Sequence, residues 1–218
     1  MNLRFDAAWE IHLFLVSRGI PYAIIGGTAL PRWGEPRFTK DVDLVVMAPL
    51  KEGIDKFVQS LLECFPSRVA NPIAFARQTR IILIRASNHC DVDISLGLPG
   101  YEEEVMRRAV DYDLETGKAV RICSAEDLII HKCISGRPQD ISDVNGVLMR
   151  QNKKLDVAYI RKWLRAFAEL TEPEVLKRFE RAWRAVPSSI PRKNPENTPH
   201  RTPKRKQEKR SSANYYPG

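Results

Sequence analysis

Two aspartate pairs in this 218-residue chain have a spacing that places carboxylates side by side. Asp41 and Asp43 open one apolar run, and Asp91 and Asp93 open another. Both runs predict strands, in which alternate side chains share a face. The two side chains of each pair therefore point to the same side of the strand, and their Cα atoms are about 7 Å apart. Carboxylate oxygens are hard ligands that suit Mg²⁺. The alternative interpretation is that these aspartates are solvated acids at exposed strand starts.

A glycine turn precedes the first pair. Residues 23–25 predict a buried strand, and Gly26, Gly27 and Thr28 follow it directly. Glycine lets a backbone approach a phosphate closely, and the free N–H groups of a helix start bind anions. Thr28 can cap this helix or offer its hydroxyl to a phosphate oxygen. Taken alone, a Gly-Gly pair more commonly marks only a turn.

The order of these parts is more specific than any one of them. A strand, Gly-Gly-Thr and a short helix lead into the run Arg37-Phe38-Thr39-Lys40-Asp41-Val42-Asp43 and a second strand. This order resembles the nucleotidyltransferase superfamily, and the run looks most like the branch of AbiEii-type nucleotidyltransferase toxins. The resemblance implies that Gly26, Gly27, Thr28, Arg37 and Thr39 contact the nucleotide and that Asp41 and Asp43 hold Mg²⁺. Arg37 has a second interpretation, an ordinary ion pair with Glu35 or Asp41.

The resemblance also implies a third metal-binding carboxylate. Residues 80–85 and 91–96 predict a hairpin, and the run Val92-Asp93-Ile94-Ser95-Leu96-Gly97 fits the family pattern best. We therefore expect Asp93 to complete the catalytic carboxylates, with Asp91 as the alternative on the same strand face. A third carboxylate can also act as general base on an attacking hydroxyl.

A second block of the resemblance lies in residues 126–144. It contains Lys132, Arg137, Asp140 and Asp143. In the resembling toxins the lysine is thought to reach the nucleotide phosphates, which makes Asp140 and Asp143 its supports. These two aspartates share one helix face. The alternative is a structural set of ion pairs between the two acids, Lys132 and Arg137.

Apolar periodicity predicts an α+β fold, and the resemblance implies a nucleotidyltransferase-like mixed sheet flanked by helices. Helices are expected over residues 4–18, 51–65, 100–114, 124–135, 138–148, 155–170 and 171–186, with capping boxes at Ser124–Asp127 and Thr171–Glu174. We assign residues 1–122 to the catalytic domain, 123–186 to a C-terminal helical part and 187–218 to a disordered, basic, proline-rich tail.

Composition excludes several protein classes. The four cysteines and four histidines lack metal-ligand spacing, so reduced core thiols are expected rather than a zinc site. No apolar run is long enough to span a membrane, and the N-terminus lacks a signal-peptide pattern, so we expect a cytoplasmic protein. The net charge is +8, and residues 186–218 carry eight Lys or Arg against two Glu. This tail can contact RNA phosphates or be merely solvated.

The predicted function is Mg²⁺-dependent transfer of a nucleoside monophosphate from a nucleoside triphosphate, with ATP as one candidate, to an acceptor hydroxyl. Asp41 and Asp43 would bind two Mg²⁺ ions, with Asp93 on one of them. The toxin-like resemblance suggests an RNA end or a protein as acceptor and a cognate antitoxin as a candidate partner. Alternatives are a small-molecule (antibiotic) nucleotidyltransferase, a non-catalytic nucleotide- or RNA-binding module, and a structural partner protein that binds no nucleotide.

Overall fold

A computed structural model of the protein describes residues 3–48, 53–115 and 117–187. Within these ranges the helices are α1 (Leu3–Ser17), α2 (Gly26–Trp33), α3 (Ile54–Leu62), α4 (Pro72–Thr79), α5 (Tyr101–Arg108), α6 (Ala125–Ser135), α7 (Pro138–Gln151), α8 (Val157–Leu170) and α9 (Glu174–Ala185). The strands are β1 (Tyr22–Ile24), β2 (Asp41–Val46), β3 (Ile81–Arg85), β4 (Asp91–Leu96), β5 (Val110–Glu115) and β6 (Lys118–Ile122).

The strands form one six-stranded mixed sheet in the order β3-β4-β2-β1-β6-β5. Strand β2 pairs with β4 in parallel and with β1 antiparallel, and β1 pairs with β6 in parallel. The hairpins β3–β4 and β5–β6 complete the two sides of the sheet. The predicted α+β class with a mixed sheet flanked by helices is confirmed.

Burial alternates along the central strands and separates their two faces. Val42 and Leu44 on β2, and Val92 and Ile94 on β4, belong to the buried core. The aspartates between them are only half-buried. Because side chains alternate across a strand, the apolar residues fix which face is internal and leave the acidic face open.

Helices α6 to α9 pack on one another beyond the sheet. The apolar side of α9 is buried through Val175 and Phe179, and α6 is buried along most of its length. The predicted boundary between residues 122 and 123 falls between β6 and α6, inside one compact unit that extends to Val186. The predicted tail lies almost wholly outside the described residues.

Several local predictions are confirmed by hydrogen bonds. The β3–β4 hairpin forms with Leu83 opposite Asp93. The Asp127 N–H donates to the Ser124 hydroxyl at 3.1 Å, which caps α6, and Gly136 ends this helix in the left-handed region. All four cysteines are free thiols, and Cys90, Cys123 and Cys133 are buried as expected, but the core prediction is wrong for Cys64, which is exposed. In the described part of the chain, no helix has the length and apolar character needed to cross a membrane.

Two local predictions are wrong. The helix expected over residues 100–114 ends at Arg108, and Val110–Glu115 instead forms strand β5 against β6. Here Tyr112 and Leu114 alternate with acids, which suits a strand, and pairing with β6 decides the outcome. The expected capping box at Thr171 does not form, because the Thr171 hydroxyl donates to the Phe167 carbonyl of α8 at 2.8 Å. Helix α9 starts after Pro173 without a side-chain cap.

Candidate active site

The acidic face of the sheet is built by the parallel pairing of β2 and β4. Asp41 lies opposite Asp91, and Asp43 lies opposite Asp93. In a parallel ladder, neighbouring residues in register point to the same side. The pairing therefore brings four carboxylates, which are predicted from two distant parts of the sequence, to one small area.

Three of these carboxylates form a tight cluster. Asp41, Asp43 and Asp93 each offer an oxygen, and these oxygens all lie within 4.8 Å of one another. In the described parts of the chain, no other group of three or more His, Cys, Asp or Glu side chains brings ligand atoms so close. Carboxylate oxygens in such a half-buried cluster fit a divalent ion such as Mg²⁺.

Within the cluster, Asp43 has a carboxyl group whose pKa is clearly shifted. Burial, followed by the charges of Asp41 and Asp93, raises the pKa of the Asp43 carboxyl to about 6. The positive charges of Lys132 and Arg137 act in the opposite direction. The carboxylate therefore lacks sufficient compensation from the protein's own cations, a condition that a bound divalent ion relieves.

The glycine turn is shaped around this cluster. Gly26, the first residue of α2, has a φ of +64°, and a Cβ atom there would overlap the Asp43 carboxylate. A Cβ on Gly27 would lie 2.9 Å from the Thr39 side chain. The turn thus lets the start of α2, with its free N–H groups, approach the aspartates closely.

The two threonines contact Asp41 rather than solvent. The Thr39 hydroxyl donates to Asp41 Oδ1 at 2.7 Å and helps to orient that carboxylate. Thr28 is buried within the first turn of α2, where its hydroxyl donates to the Asp41 carbonyl at 3.5 Å. The N-cap of α2 is Ile25, so the capping role expected for Thr28 is wrong.

Lys132 lies in a buried ion-pair cluster. Its Nζ atom is 2.6 Å from Asp140 Oδ1 and 2.8 Å from Asp143 Oδ2. Burial alone would raise the pKa of Asp140, but hydrogen bonds from Lys132 and Ser135 hold it below the usual value. These contacts are the ion pairs that the structural alternative predicts for Lys132, while the contact of Lys132 with phosphate and the supporting role of Asp140 and Asp143 stay predictions.

Arg37 binds a different acid from the two expected. Its guanidinium donates from Nε to Asp143 Oδ1 at 2.9 Å and from a terminal nitrogen to Oδ2 at 3.0 Å. The expected ion pair with Glu35 or Asp41 is wrong, because the segment before β2 folds against α7, where Gly34 meets Val147. The structural alternative for Arg137 is also wrong: this residue is exposed and forms no ion pair with the described acids.

Asp91 lies outside the three-carboxylate cluster and pairs with two arginines. Arg85 Nε lies 2.9 Å from Asp91 Oδ1, and a terminal nitrogen of Arg68 lies 3.3 Å from Oδ2. The other terminal nitrogen of Arg68 pairs with Asp93 Oδ1. Arg68 was not predicted from sequence, because it lies in an irregular segment between α3 and α4. The hairpin register does place Arg85 opposite Asp91.

A cavity of about 670 Å³ opens beside the cluster, at the N-terminal ends of β2 and β4. Its lining residues come from three segments: Leu3, Arg4, Phe38, Thr39, Lys40, Asn88, His89 and Cys90. None of these eight is acidic, and two are permanently cationic. Phe38 is 75% exposed, and the Arg4 guanidinium carbon lies 6.0 Å from its ring centroid. The cavity therefore combines positive charge with an accessible aromatic ring.

Comparison with solved structures found several chains of similar fold. The antibiotic-resistance factor ANT(2'')-Ia is 15% identical, with 78% of this chain and 95% of that chain covered and a TM-score of 0.52. An antigenic nucleotidyltransferase-like protein from Paracoccidioides brasiliensis is 20% identical, with coverages of 82% and 92% and a TM-score of 0.48. The lincosamide antibiotic adenylyltransferase LnuA is 12% identical, with coverages of 65% and 94% and a TM-score of 0.46.

Comparison with curated proteins found no match. A family model described as "Nucleotidyltransferase of unknown function (DUF6036)" matches residues 10–190, which include the glycine turn, the carboxylate cluster and the Lys132 cluster. The chain therefore belongs to this nucleotidyltransferase family.

Proposed function

We propose that this protein transfers a nucleoside monophosphate from a nucleoside triphosphate to an acceptor hydroxyl, and that Mg²⁺ is the required ion. The observation that carries the proposal is the cluster of Asp41, Asp43 and Asp93, with oxygens within 4.8 Å of one another on one face of the sheet. Mg²⁺ binds through one or two carboxylates together with substrate phosphates, so this set of donors fits it.

The reaction follows from the donors that the chain provides. Asp41 and Asp43 would hold the ion, with Asp93 beside them, and the ion would supply the positive charge that neutralises the triphosphate. The acceptor oxygen forms a bond to the α-phosphorus, and the bond from that phosphorus to its bridging oxygen breaks. Pyrophosphate leaves, and Asp93 accepts the proton of the acceptor hydroxyl as general base.

We assign the nucleotide phosphates to the start of α2 and the cations near it. The first N–H groups of α2, from Gly26, Gly27 and Thr28, have no partner within the helix and attract anions. Arg137 is exposed, and its charge acts on Asp43. It is better placed to meet a phosphate than Lys132, whose ammonium group is buried between two carboxylates.

For the acceptor we favour an RNA end, in line with the resemblance to AbiEii-type toxins. The cavity beside the cluster presents Arg4, Lys40 and the exposed ring of Phe38. Cations together with an accessible aromatic ring are the features that bind single-stranded nucleic acid. A protein hydroxyl as acceptor, and an antitoxin as neutralising partner, belong to the same toxin-like hypothesis.

A small-molecule acceptor is the second candidate function. It is supported by the fold shared with an antibiotic-resistance factor at a TM-score of 0.52.

The test is transfer of label from each of the four α-labelled ribonucleoside triphosphates, with Mg²⁺, to total RNA and to total protein. We expect labelled RNA with the wild type and a loss of at least about a thousandfold for Asp41→Ala and Asp43→Ala, because phosphoryl transfer depends on metal-mediated charge neutralisation. Asp113→Ala is the matched control, since Asp113 is an exposed strand acid on β5, away from the cluster.

The outcomes separate the hypotheses. Labelled protein in place of RNA would identify a protein acceptor. Pyrophosphate release without labelled macromolecule would favour a small-molecule acceptor. Saturable, Mg²⁺-dependent nucleotide binding without pyrophosphate release would favour a binding module, and no nucleotide binding would favour a structural partner. Full transfer by the Asp43→Ala variant would contradict the proposed mechanism.

A further inference from the structure

Arg68 is fixed beside the carboxylate cluster by its backbone. Its N–H donates to the Leu83 carbonyl at 2.9 Å, and the preceding residue, Ser67, forms a bridge with Ile84 on β3. The Ser67 hydroxyl also donates to the Val69 carbonyl at 2.8 Å, which closes a local turn. Since Leu83 lies opposite Asp93 in the hairpin, the Arg68 side chain extends across β3 toward the acidic face.

The Arg68 guanidinium joins the two aspartates of β4. One terminal nitrogen pairs with Asp93 Oδ1, and the other lies 3.3 Å from Asp91 Oδ2. The side chains of Arg68 and Asp93 are 23% and 34% exposed, so this pair is partly withdrawn from solvent screening.

The two aspartates do not depend on Arg68 equally. Asp91 has a second partner, because Arg85 Nε lies 2.9 Å from its Oδ1 atom. Among the described residues, the only ion pair formed by Asp93 is the one with Arg68. Loss of Arg68 would therefore leave Asp91 paired but would expose Asp93 to the full repulsion of Asp41 and Asp43.

We propose that Arg68 is an internal counter-cation that competes with the divalent ion for Asp93. The inference rests on the proposed function, because it assumes that the cluster binds an ion. A guanidinium on Asp93 stabilises three adjacent carboxylates and also lowers the attraction of the cluster for a second positive charge. When an ion engages Asp93 Oδ1, Arg68 has to yield this oxygen, while Asp91 keeps Arg68 close. Arg68 is thus a positioning residue that sets metal affinity.

The test is Mg²⁺ binding to the full-length protein by calorimetry, without nucleotide. Arg68→Gln removes the charge but keeps a hydrogen-bonding side chain, and we expect roughly tenfold tighter Mg²⁺ binding. With a chelator present, this variant should melt at a lower temperature than the wild type, and Mg²⁺ should restore most of the difference. Arg85→Gln is the matched control, because Asp91 is the one acid with which Arg85 pairs in the described part of the chain, and the Mg²⁺ affinity of this variant should stay within about threefold of the wild type.

Arg68→Lys keeps the charge without the two-pronged geometry, so its Mg²⁺ affinity should fall between those of the wild type and Arg68→Gln. It also serves as the test if Arg68→Gln does not fold. Unchanged or weaker binding by the folded Arg68 variants would overturn the inference. Asp41→Ala separates this result from a failure of the proposed function: if it binds Mg²⁺ like the wild type, the metal site itself is wrongly assigned.

Discussion

Asp43 is the residue of the cluster whose charge is most strongly opposed by burial and by neighbouring carboxylates. Its carboxyl is held between Asp41 and Asp93, and Gly26 approaches so closely that a side chain there has no room. Burial and these like charges raise its pKa from 3.8 to about 6. The same environment that makes Asp43 a suitable metal ligand therefore opposes folding when the ion is removed.

The sign of this effect predicts a pH dependence. Because the folded-state pKa of Asp43 is raised, the folded state retains this proton more strongly than the unfolded state. The Asp43 contribution to stability is therefore lost as the pH rises from about 4 through about 6. With a chelator present, we expect Asp43→Asn to be more stable than the wild type at pH 7.5 by on the order of 2 kcal/mol. The difference in stability between Asp43→Asn and the wild type should shrink toward pH 4, because Asp43 is then protonated in the folded state.

Urea unfolding of both proteins at pH 4.5 and pH 7.5 checks this expectation. Asp113→Asn, a change at an exposed acid of β5, should leave stability within about 0.5 kcal/mol at either pH. An Asp43→Asn variant that is less stable than the wild type at pH 7.5 would show that the protein compensates the Asp43 charge better than its surroundings indicate.

At the level of single residues, the sequence indicates which aspartates could bind the metal, but it does not decide between Asp91 and Asp93 as the third ligand. Asp91 and Asp93 share a strand face, and spacing alone treats them alike. The structure distinguishes them, because Asp93 belongs to the three-carboxylate cluster, whereas Asp91 lies outside it and pairs with Arg85 as well as Arg68. Arg68 comes from a segment without periodicity, so no local pattern could have indicated its position.

Among the elements, helix α2 has the strictest geometric requirement. Its first residue, Gly26, combines a φ of +64° with contact to the Asp43 carboxylate, whereas Gly19 has a φ of +62° and nothing within 4 Å of an added Cβ. Alanine at either position meets the same backbone strain, roughly 1–2 kcal/mol. Only Gly26→Ala also displaces Asp43.

We therefore expect Gly19→Ala to lose about 1 kcal/mol of stability and to keep normal Mg²⁺ affinity and transfer activity. Gly26→Ala should lose more stability and at least about tenfold in Mg²⁺ affinity, since the carboxylate has to move. Calorimetry and urea unfolding of the two variants provide the comparison. Equal effects of both substitutions would mean that only the backbone conformation at Gly26 matters.

The elements also show where periodicity succeeds and where it fails. The hairpin β3–β4 and the cap of α6 were predictable, because alternation and the Ser124–Asp127 motif act over a few residues. The sequence predicts a helix through the residues of strand β5, because the acidic run Glu102–Glu104 starts a real helix and the strand depends on pairing with β6. The start of α9 was misplaced because Thr171 closes the preceding helix instead.

At the scale of the whole molecule, one ion-pair cluster connects the C-terminal helices to the segment that leads into the acidic face of the sheet. Asp143 on α7 binds Arg37, which precedes β2, and also Lys132 on α6. This connection fixes the segment that carries Thr39, and Thr39 in turn orients Asp41. The resemblance indicated these residues, but the contact between Arg37 and Asp143 spans 106 residues and could not be inferred from spacing.

Asp143→Asn should therefore weaken both stability and function. The change removes the acid that pairs with Arg37 and one of the two acids that pair with the buried Lys132, and we expect a loss of about 3 kcal/mol in unfolding free energy. Nucleotide affinity should also fall, because Arg37 no longer holds its segment in place. Asp55→Asn, which breaks an exposed pair with Arg77, is the control and should cost less than about 1 kcal/mol. Urea unfolding and nucleotide titration of the two variants test this role of Asp143. If Asp143→Asn costs no more than Asp55→Asn, Asp143 does not hold the segment before β2 in place.

The parallel pairing of β2 with β4 also determines when, during synthesis and folding, the carboxylate cluster can assemble. Parallel neighbours need a crossover, and here it contains α3, α4 and β3. During synthesis, Asp41 and Asp43 therefore emerge from the ribosome long before Asp93. The nascent chain holds two of the three carboxylates but no assembled cluster until the crossover has folded and β4 has joined the sheet. The assembly of the carboxylate cluster is thus delayed by the order of the strands along the chain.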